Sequence, residues 1–210
     1  CGSAVMRGMQ DGGVVACAKH FPGHGDTEVD SHKALPVLKF PKERLDSVEL
    51  YPFRRLIKDG VEMVMVGHLL VPVLDTLPAS VSKVVVTDLL RKKMKFRGLI
   101  ITDALGMEGV LEPFGGSGAK ATLAAYKAGV DILLMPDNVS ESIDLIVDYI
   151  GDDRRKLKDL DARVSRVLAL KGKCGKLTGR DDLSVDPAAV DTKGTDALIT
   201  TIEETLAAGR

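Results

Sequence analysis

The sequence lacks the features that mark a membrane protein, a nucleic-acid-binding protein or a disulfide-rich domain. No stretch approaches the ~18 apolar residues that a membrane span needs, and runs such as Val84–Val86 are strand-sized at most. There are 29 basic and 30 acidic residues, so a net charge of −1 provides no general attraction to nucleic acid or anionic lipid. Three widely spaced cysteines fit neither a disulfide framework nor a zinc motif.

The remaining composition is that of an ordinary globular domain. The 210 residues are 45% apolar and 28% charged, which suffices for one domain with a sizeable core. Cys17 lies in an apolar run and is expected to be a buried small hydrophobe. The chain begins with Cys1 and shows no signal peptide, so the sequence leaves the compartment unassigned.

Short apolar runs alternate with longer amphipathic stretches along the chain. This pattern predicts an α/β fold with a parallel sheet, because the strands are apolar on both faces and are separated by helices. The predicted strands are 13–18, 61–66, 98–102 and 130–135, and the predicted helices are 42–58, 82–94, 119–128, 140–150 and 157–170. Residues 172–194 resemble a linker, and a last helix is predicted over about 195–207.

Chemically capable residues follow the predicted strands. Lys19-His20, His68, Asp103 and Pro136-Asp137-Asn138 come after the first, second, third and fourth strands, respectively. The carboxyl ends of parallel strands meet at one edge of a sheet, and a TIM barrel places them on one rim. Four strands are half of what a barrel needs. The pattern therefore fits either a smaller doubly wound sheet or half of a barrel.

Three of the four histidines lie close together in a glycine-rich segment, at His20, His24 and His32. Three interpretations compete: an exposed loop with incidental histidines, a metal site with a nearby carboxylate, and acid/base chemistry by a His–Asp pair. The pair would be Asp30 and His32, since residues two apart in an extended segment point the same way. The carboxylate would then orient the imidazole and stabilise its cation.

Asp103 is the second strong candidate, because it emerges from a buried strand where an unpaired carboxylate is costly. Its alternative role is to cap the following helix. His68 is either a packed, hydrogen-bonded residue or a ligand contact. Lys19 is a donor suited to sugar hydroxyls. Phe21 and Met107 offer apolar surface to a sugar ring, although such residues more often serve in packing.

These segments resemble glycoside hydrolase family 3, in its β-N-acetylglucosaminidase branch. The first motif is Lys19-His20-Phe21-Pro22-Gly23-His24-Gly25 with Asp30-Ser31-His32, and the second is Ile101-Thr102-Asp103-Ala104-Leu105-Gly106-Met107. Similarity also covers Met65-Val66-Gly67-His68, Pro78-Ala79-Ser80 and Ala128-Gly129-Val130-Asp131. The resemblance extends over about residues 4–177.

The resemblance implies a retaining exo-glycosidase that removes terminal β-linked N-acetylglucosamine from cell-wall or chitin fragments without a cofactor or metal. Asp103 would be the nucleophile, and His32, oriented by Asp30, would be the acid/base. The residues expected to bind the sugar are Lys19, His20, His68 and Met107. The alternatives are a β-glucosidase of the same family, phosphorolysis, and a metal-binding α/β module built on His20, His24 and His32.

The resemblance also implies the domain organisation. Residues 1–177 would be the C-terminal half of a family 3 TIM-barrel domain, with about strands five to eight and flanking helices. Residues 178–210 would be a linker and helix leading to a second domain. The N-terminal half-barrel and that second domain would be missing from the chain. We therefore expect the isolated 210 residues to be poorly stable and inactive, because strand edges and apolar helix faces would be open.

Overall fold

The computed structural model describes residues 1–25, 27, 35–174, 200 and 204. The chain divides into two compact units, Cys1–Leu177 and Thr178–Arg210. In the second unit the described residues are Thr200 and Glu204, both in helical conformation. The predicted linker from residue 175 onward and nearly all of the predicted last helix therefore lie outside the described residues. The elements below belong to the first unit.

Three parallel strands form the sheet, as predicted for an α/β fold. They are β1 (Cys17–Phe21), β2 (Met63–Val66) and β3 (Leu99–Thr102), in the order β1-β2-β3. Cys17 pairs with Met63, and Met63 pairs with Leu99, so the three strands run in register from the same end. Helical segments connect consecutive strands, which is how parallel neighbours are joined.

Seven α-helices surround this sheet in the described part of the chain: α1 (Gly2–Asp11), α2 (Lys42–Arg44), α3 (Leu50–Lys58), α4 (Glu108–Leu111), α5 (Gly118–Ala128), α6 (Val139–Ile150) and α7 (Arg154–Lys173). The helix predicted over 42–58 is interrupted by a π-helical segment, Leu45–Glu49. The helix predicted from Ser82 is also π-helical, over Val84–Lys93. Among the described residues, none of the helices is long and apolar enough to span a membrane.

The core lies between the helices and one face of the sheet. Phe21, Val64, Val66 and Ile100 on that face are fully buried. Side chains alternate across a strand, so the other face carries Cys17, which is exposed, Met63 and Met65, which are half-buried, and Leu99 and Ile101, which are buried. The expectation of a buried Cys17 is wrong, because Cys17 begins the edge strand β1 and is exposed there.

The first predicted strand begins later than expected. Pairing with β2 starts at Cys17, so Lys19 and His20 lie in the last residues of β1 and not after it.

The fourth predicted strand, 130–135, is not a regular strand. It runs beside β3 with one bridge, Ile101 to Ile132. Three backbone hydrogen bonds join the two segments: the Asp131 and Ile132 amides donate to the Ile100 carbonyl, and the Thr102 amide donates to the Ile132 carbonyl. Two side chains add to these bonds. Asp131 Oδ2 accepts from the Ile100 amide at 2.8 Å, and Thr102 Oγ1 accepts from the Leu134 amide at 3.0 Å.

Candidate active site

The carboxyl ends of the three strands bring the candidate residues to one edge of the sheet. The Asp103 amide donates to the Val66 carbonyl at 3.0 Å, which ties the end of β3 to the end of β2. From the end of β1, His20 Nε2 lies 3.5 Å from Asp103 Oδ2. The His20 and Asp103 side chains are 28% and 23% exposed, so solvent reaches both. The structure thus joins two residues that are 83 positions apart in the sequence.

The Asp103 carboxylate is held by its own loop and does not cap a helix. Its Oδ1 accepts from the Ala104 amide at 2.9 Å. The residue that precedes α4 is Met107, and α4 has no side-chain cap. The alternative role of Asp103 as a helix cap is therefore not what the structure shows. The carboxylate stays oriented at the rim with one oxygen toward His20.

His68 lies beneath this rim and is 2% exposed. Its Nδ1 is 2.6 Å from Ser80 Oγ, and its Nε2 is 2.8 Å from the Ala104 carbonyl oxygen. Burial lowers the pKa of His68 below the ordinary 6.5, although the hydrogen bond to Ala104 and the charge of Asp103 act in the opposite direction. Because these two hydrogen bonds give both ring nitrogens protein partners, the sugar contact expected of His68 stays a prediction.

The glycine-rich loop after β1 packs against the π-helical segment Leu45–Glu49. Gly23 has φ +121°, and a Cβ there would lie 2.7 Å from the Cβ of Glu49, so glycine is required on two grounds. His24 Nδ1 and Thr27 Oγ1 are 2.7 Å apart, and the His24 ring stands edge-on to His20 at 6.2 Å. The loop and the helix line an open cleft of about 330 Å³ next to Lys19 and His20.

Two predicted catalytic residues, Asp30 and His32, lie outside the described residues, so their geometry stays a prediction. Lys19 is exposed in the middle of β1. Met107 is half-buried before α4, and its amide donates to the Ala104 carbonyl at 3.1 Å. Within the described ranges, no group of three His, Cys, Asp or Glu side chains is arranged to hold a metal ion.

Sequence reasoning missed two buried polar residues next to the site. Ser80, which is fully buried, bonds to His68, although it lies in the segment Pro78-Ala79-Ser80 that had received no role. Glu49 has a 3% exposed side chain; its Oε1 is 3.3 Å from Arg44 Nε, and its Oε2 has no hydrogen-bond partner among the described residues. Neither residue stands out in the sequence, because other polar residues, such as Ser47 and Ser82, lie close to each.

Comparisons with known proteins show which family the chain resembles. The sequence profile of the glycosyl hydrolase family 3 N-terminal domain matches residues 1–170. β-Hexosaminidase A of Pseudoalteromonas piscicida is 32% identical over 194 residues, which cover 82% of this chain and 32% of that protein. A family 3 β-N-acetylglucosaminidase structure from Paenibacillus sp. str. FPU-7 is 36% identical with a TM-score of 0.77, covering 88% of this chain and 37% of that one.

A structure of the β-glucoside phosphorylase BglX is also similar, at 26% identity and a TM-score of 0.73. It covers 82% of this chain and 33% of that one. The chain thus spans about a third of the length of each of these three relatives.

Proposed function

The chain belongs to glycosyl hydrolase family 3, and from this premise we propose that it carries half of the active site of a retaining β-N-acetylglucosaminidase. The observation that supports the proposal is the approach of Asp103 to His20 at the carboxyl ends of parallel strands, 3.5 Å apart and open to solvent. Both residues stand in the motifs that carry the family resemblance. A carboxylate held at a rim beside sugar-binding donors is the arrangement that covalent glycosidase chemistry needs.

In the first step, an Asp103 oxygen attacks the anomeric carbon, and the bond to the leaving oxygen breaks. His32 gives that oxygen a proton, so that the leaving group departs as an alcohol. The product is a glycosyl ester of Asp103. The Ala104 amide, 2.9 Å from Oδ1, holds the carboxylate in one orientation during the attack.

In the second step, His32 takes a proton from water as the water attacks the anomeric carbon. The ester bond breaks, the sugar leaves with its original configuration, and Asp103 returns to its carboxylate form. Asp30 orients His32 and stabilises its cation. Lys19 and His20 bind sugar hydroxyls, and Lys19 is exposed in β1. His68 and Met107 complete the predicted sugar contacts.

The same proposal includes the domain organisation. We infer that residues 1–177 form the C-terminal half of a TIM barrel, with β1, β2, β3 and the 130–135 segment as strands five to eight. The exposed Cys17 and half-buried Met63 and Met65 would then face the barrel interior. Residues 178–210 would lead to a second domain. The coverage of about a third of each relative supports this division.

Phosphorolysis is a second candidate, favoured by the similarity to a β-glucoside phosphorylase. A histidine acid/base repels phosphate less than a carboxylate would, so phosphate could replace water in the second step. Sugar 1-phosphate formed in proportion to added phosphate would identify this reaction. A rate that is independent of phosphate would identify hydrolysis.

The proposal is tested with the full reading frame that contains this chain. The wild type should release the aryl alcohol from aryl N-acetyl-β-glucosaminides faster than from aryl β-glucosides. Asp103→Ala should lose turnover of both, whereas Asp137→Ala, at another strand end, should keep it. Near-normal turnover by Asp103→Ala would contradict the assignment of the nucleophile.

A further inference from the structure

The buried ring of His68 has one proton arrangement that suits both of its neighbours. The Ala104 carbonyl oxygen only accepts, so His68 Nε2 carries the proton in their 2.8 Å contact. Burial disfavours the charged ring, so Nδ1 is unprotonated and accepts from the Ser80 hydroxyl at 2.6 Å. Ser80 and His68 are both buried, with 0% and 2% exposure, so water has little access to replace either bond.

The carbonyl that His68 holds belongs to the residue that orients Asp103. The Ala104 amide donates to Asp103 Oδ1, and the Ala104 carbonyl accepts from both His68 Nε2 and the Met107 amide. The next amide, that of Leu105, donates to the Leu134 carbonyl at 2.9 Å. The Ala104 amide and carbonyl lie in successive peptide planes that share the Ala104 Cα, so a shift of this residue would weaken both its bond to His68 and its bond to Asp103.

We propose that Ser80 and His68 are positioning residues for Asp103: the Ser80 hydroxyl fixes the His68 ring, and the ring fixes the Ala104 backbone that holds the carboxylate. The inference rests on the proposed function for its catalytic consequence. It gives His68 a role that needs no contact with substrate. A displacement of about 1 Å at a reacting group costs on the order of 100-fold in rate, so a buried pair that acts through the backbone can govern turnover.

Ser82 provides the matched control. It is as buried as Ser80 and lies two residues away. Its hydroxyl donates to Asp75 Oδ2 at 2.5 Å and accepts from the Val85 amide at 3.1 Å, so it stabilises the following helical segment without touching His68. Ser80→Ala and Ser82→Ala therefore remove the same atom from equally buried sites, and one of them breaks the contact with His68.

The first arm of the test is NMR on the full reading frame that contains this chain, and it needs no activity. Histidine ¹⁵N spectra of the wild type should show His68 as a neutral ring with the proton on Nε2. Ser80→Ala should move the Nδ1 resonance toward that of an unpaired nitrogen and shift the Ala104 amide; Ser82→Ala should change neither. A proton on Nδ1 in the wild type, or equal shifts in the two variants, would overturn the inference.

The second arm is kinetic and uses the same variants in the full reading frame. Ser80→Ala should lower kcat about 10-fold with KM within about twofold, since orientation of the nucleophile is lost and sugar contacts are kept. His68→Gln, which can still donate to Ala104, should retain more activity than His68→Phe. Equal kcat for Ser80→Ala and Ser82→Ala would contradict the inference, whereas an inactive wild type would contradict the proposed function and leave the NMR arm decisive.

Discussion

Asp131 offers the sharpest test of how the sheet is held together beneath the site. Its side chain is 0% exposed and lies between two arginines. Oδ2 accepts from Arg91 Nη2 at 2.6 Å and from the Ile100 amide at 2.8 Å. Oδ1 accepts from Arg166 at 2.6 and 3.0 Å. The residue thus joins β3 to α7 and to the helical segment Val84–Lys93.

Asp131→Asn keeps the shape but removes the charge and turns an amide donor toward other donors. Loss of one member of a buried ion pair costs about 3–5 kcal/mol. Arg91 and Arg166 are 22% and 33% exposed and keep some access to water, so the expected loss of stability lies at the lower end of this range. A loss of about 3 kcal/mol corresponds to a fall in Tm of about 6–12 °C for a chain of this size.

The assay is thermal and urea unfolding followed by far-UV circular dichroism. Asp88→Asn is the matched control, because Asp88 pairs with Lys92 on the surface, where the two side chains are 48% and 66% exposed. That variant should leave Tm unchanged within error, since exposed pairs contribute little. A fall in Tm for Asp131→Asn no larger than for Asp88→Asn would refute the reasoning.

Three further predictions concern a glycine and two histidines. Gly129→Ala should lower the free energy of unfolding, measured in urea, by about 2–3 kcal/mol, because φ is +108° and a Cβ would overlap Thr87 Oγ1. Gly60→Ala is the control: φ is +90° but the surrounding space is open, so the loss should be about 1 kcal/mol. Equal losses in the two variants would contradict this prediction. His32→Ala should lose rate on substrates with poor leaving groups more than on activated ones, and equal losses would argue against an acid/base role. The folded state holds the pKa of His68 below 6.5, so the unfolded chain binds the proton first as the pH falls. The free energy of unfolding should therefore decrease as the pH drops below about 6.5, and that of His68→Gln should decrease less over the same range. Parallel curves for the two proteins would contradict the lowered pKa.

The alternation of apolar and amphipathic segments was enough to predict a parallel α/β sheet and the meeting of His20 and Asp103 at one edge. These features follow from local periodicity and from the geometry of parallel strands. The fourth strand was mispredicted as regular: its apolar sequence is that of a strand, but it makes a single bridge to β3, and the Asp131 and Thr102 side chains supplement the backbone hydrogen bonds. No local pattern reveals that these two side chains take part.

The role of Ser80 could not be predicted for a similar reason. Its partner His68 is 12 residues away, and the carbonyl that His68 holds is 36 residues further on. His68 at a strand end had the sequence pattern of a rim residue, and its burial depends on how Ser80 and Ala104 pack around it. The π-helical segments were likewise hidden, since their apolar spacing is close to that of an α-helix.

The most direct test of the central claim is covalent trapping of the nucleophile. The full reading frame is treated with a fluorinated N-acetyl-β-glucosaminide that has an activated leaving group, so that the glycosyl ester forms faster than water cleaves it. Peptide mass mapping should then find one sugar on the peptide that contains Asp103 and none in Asp103→Ala. A sugar attached to another residue, or no adduct in a protein that turns over the unfluorinated substrate, would contradict the account.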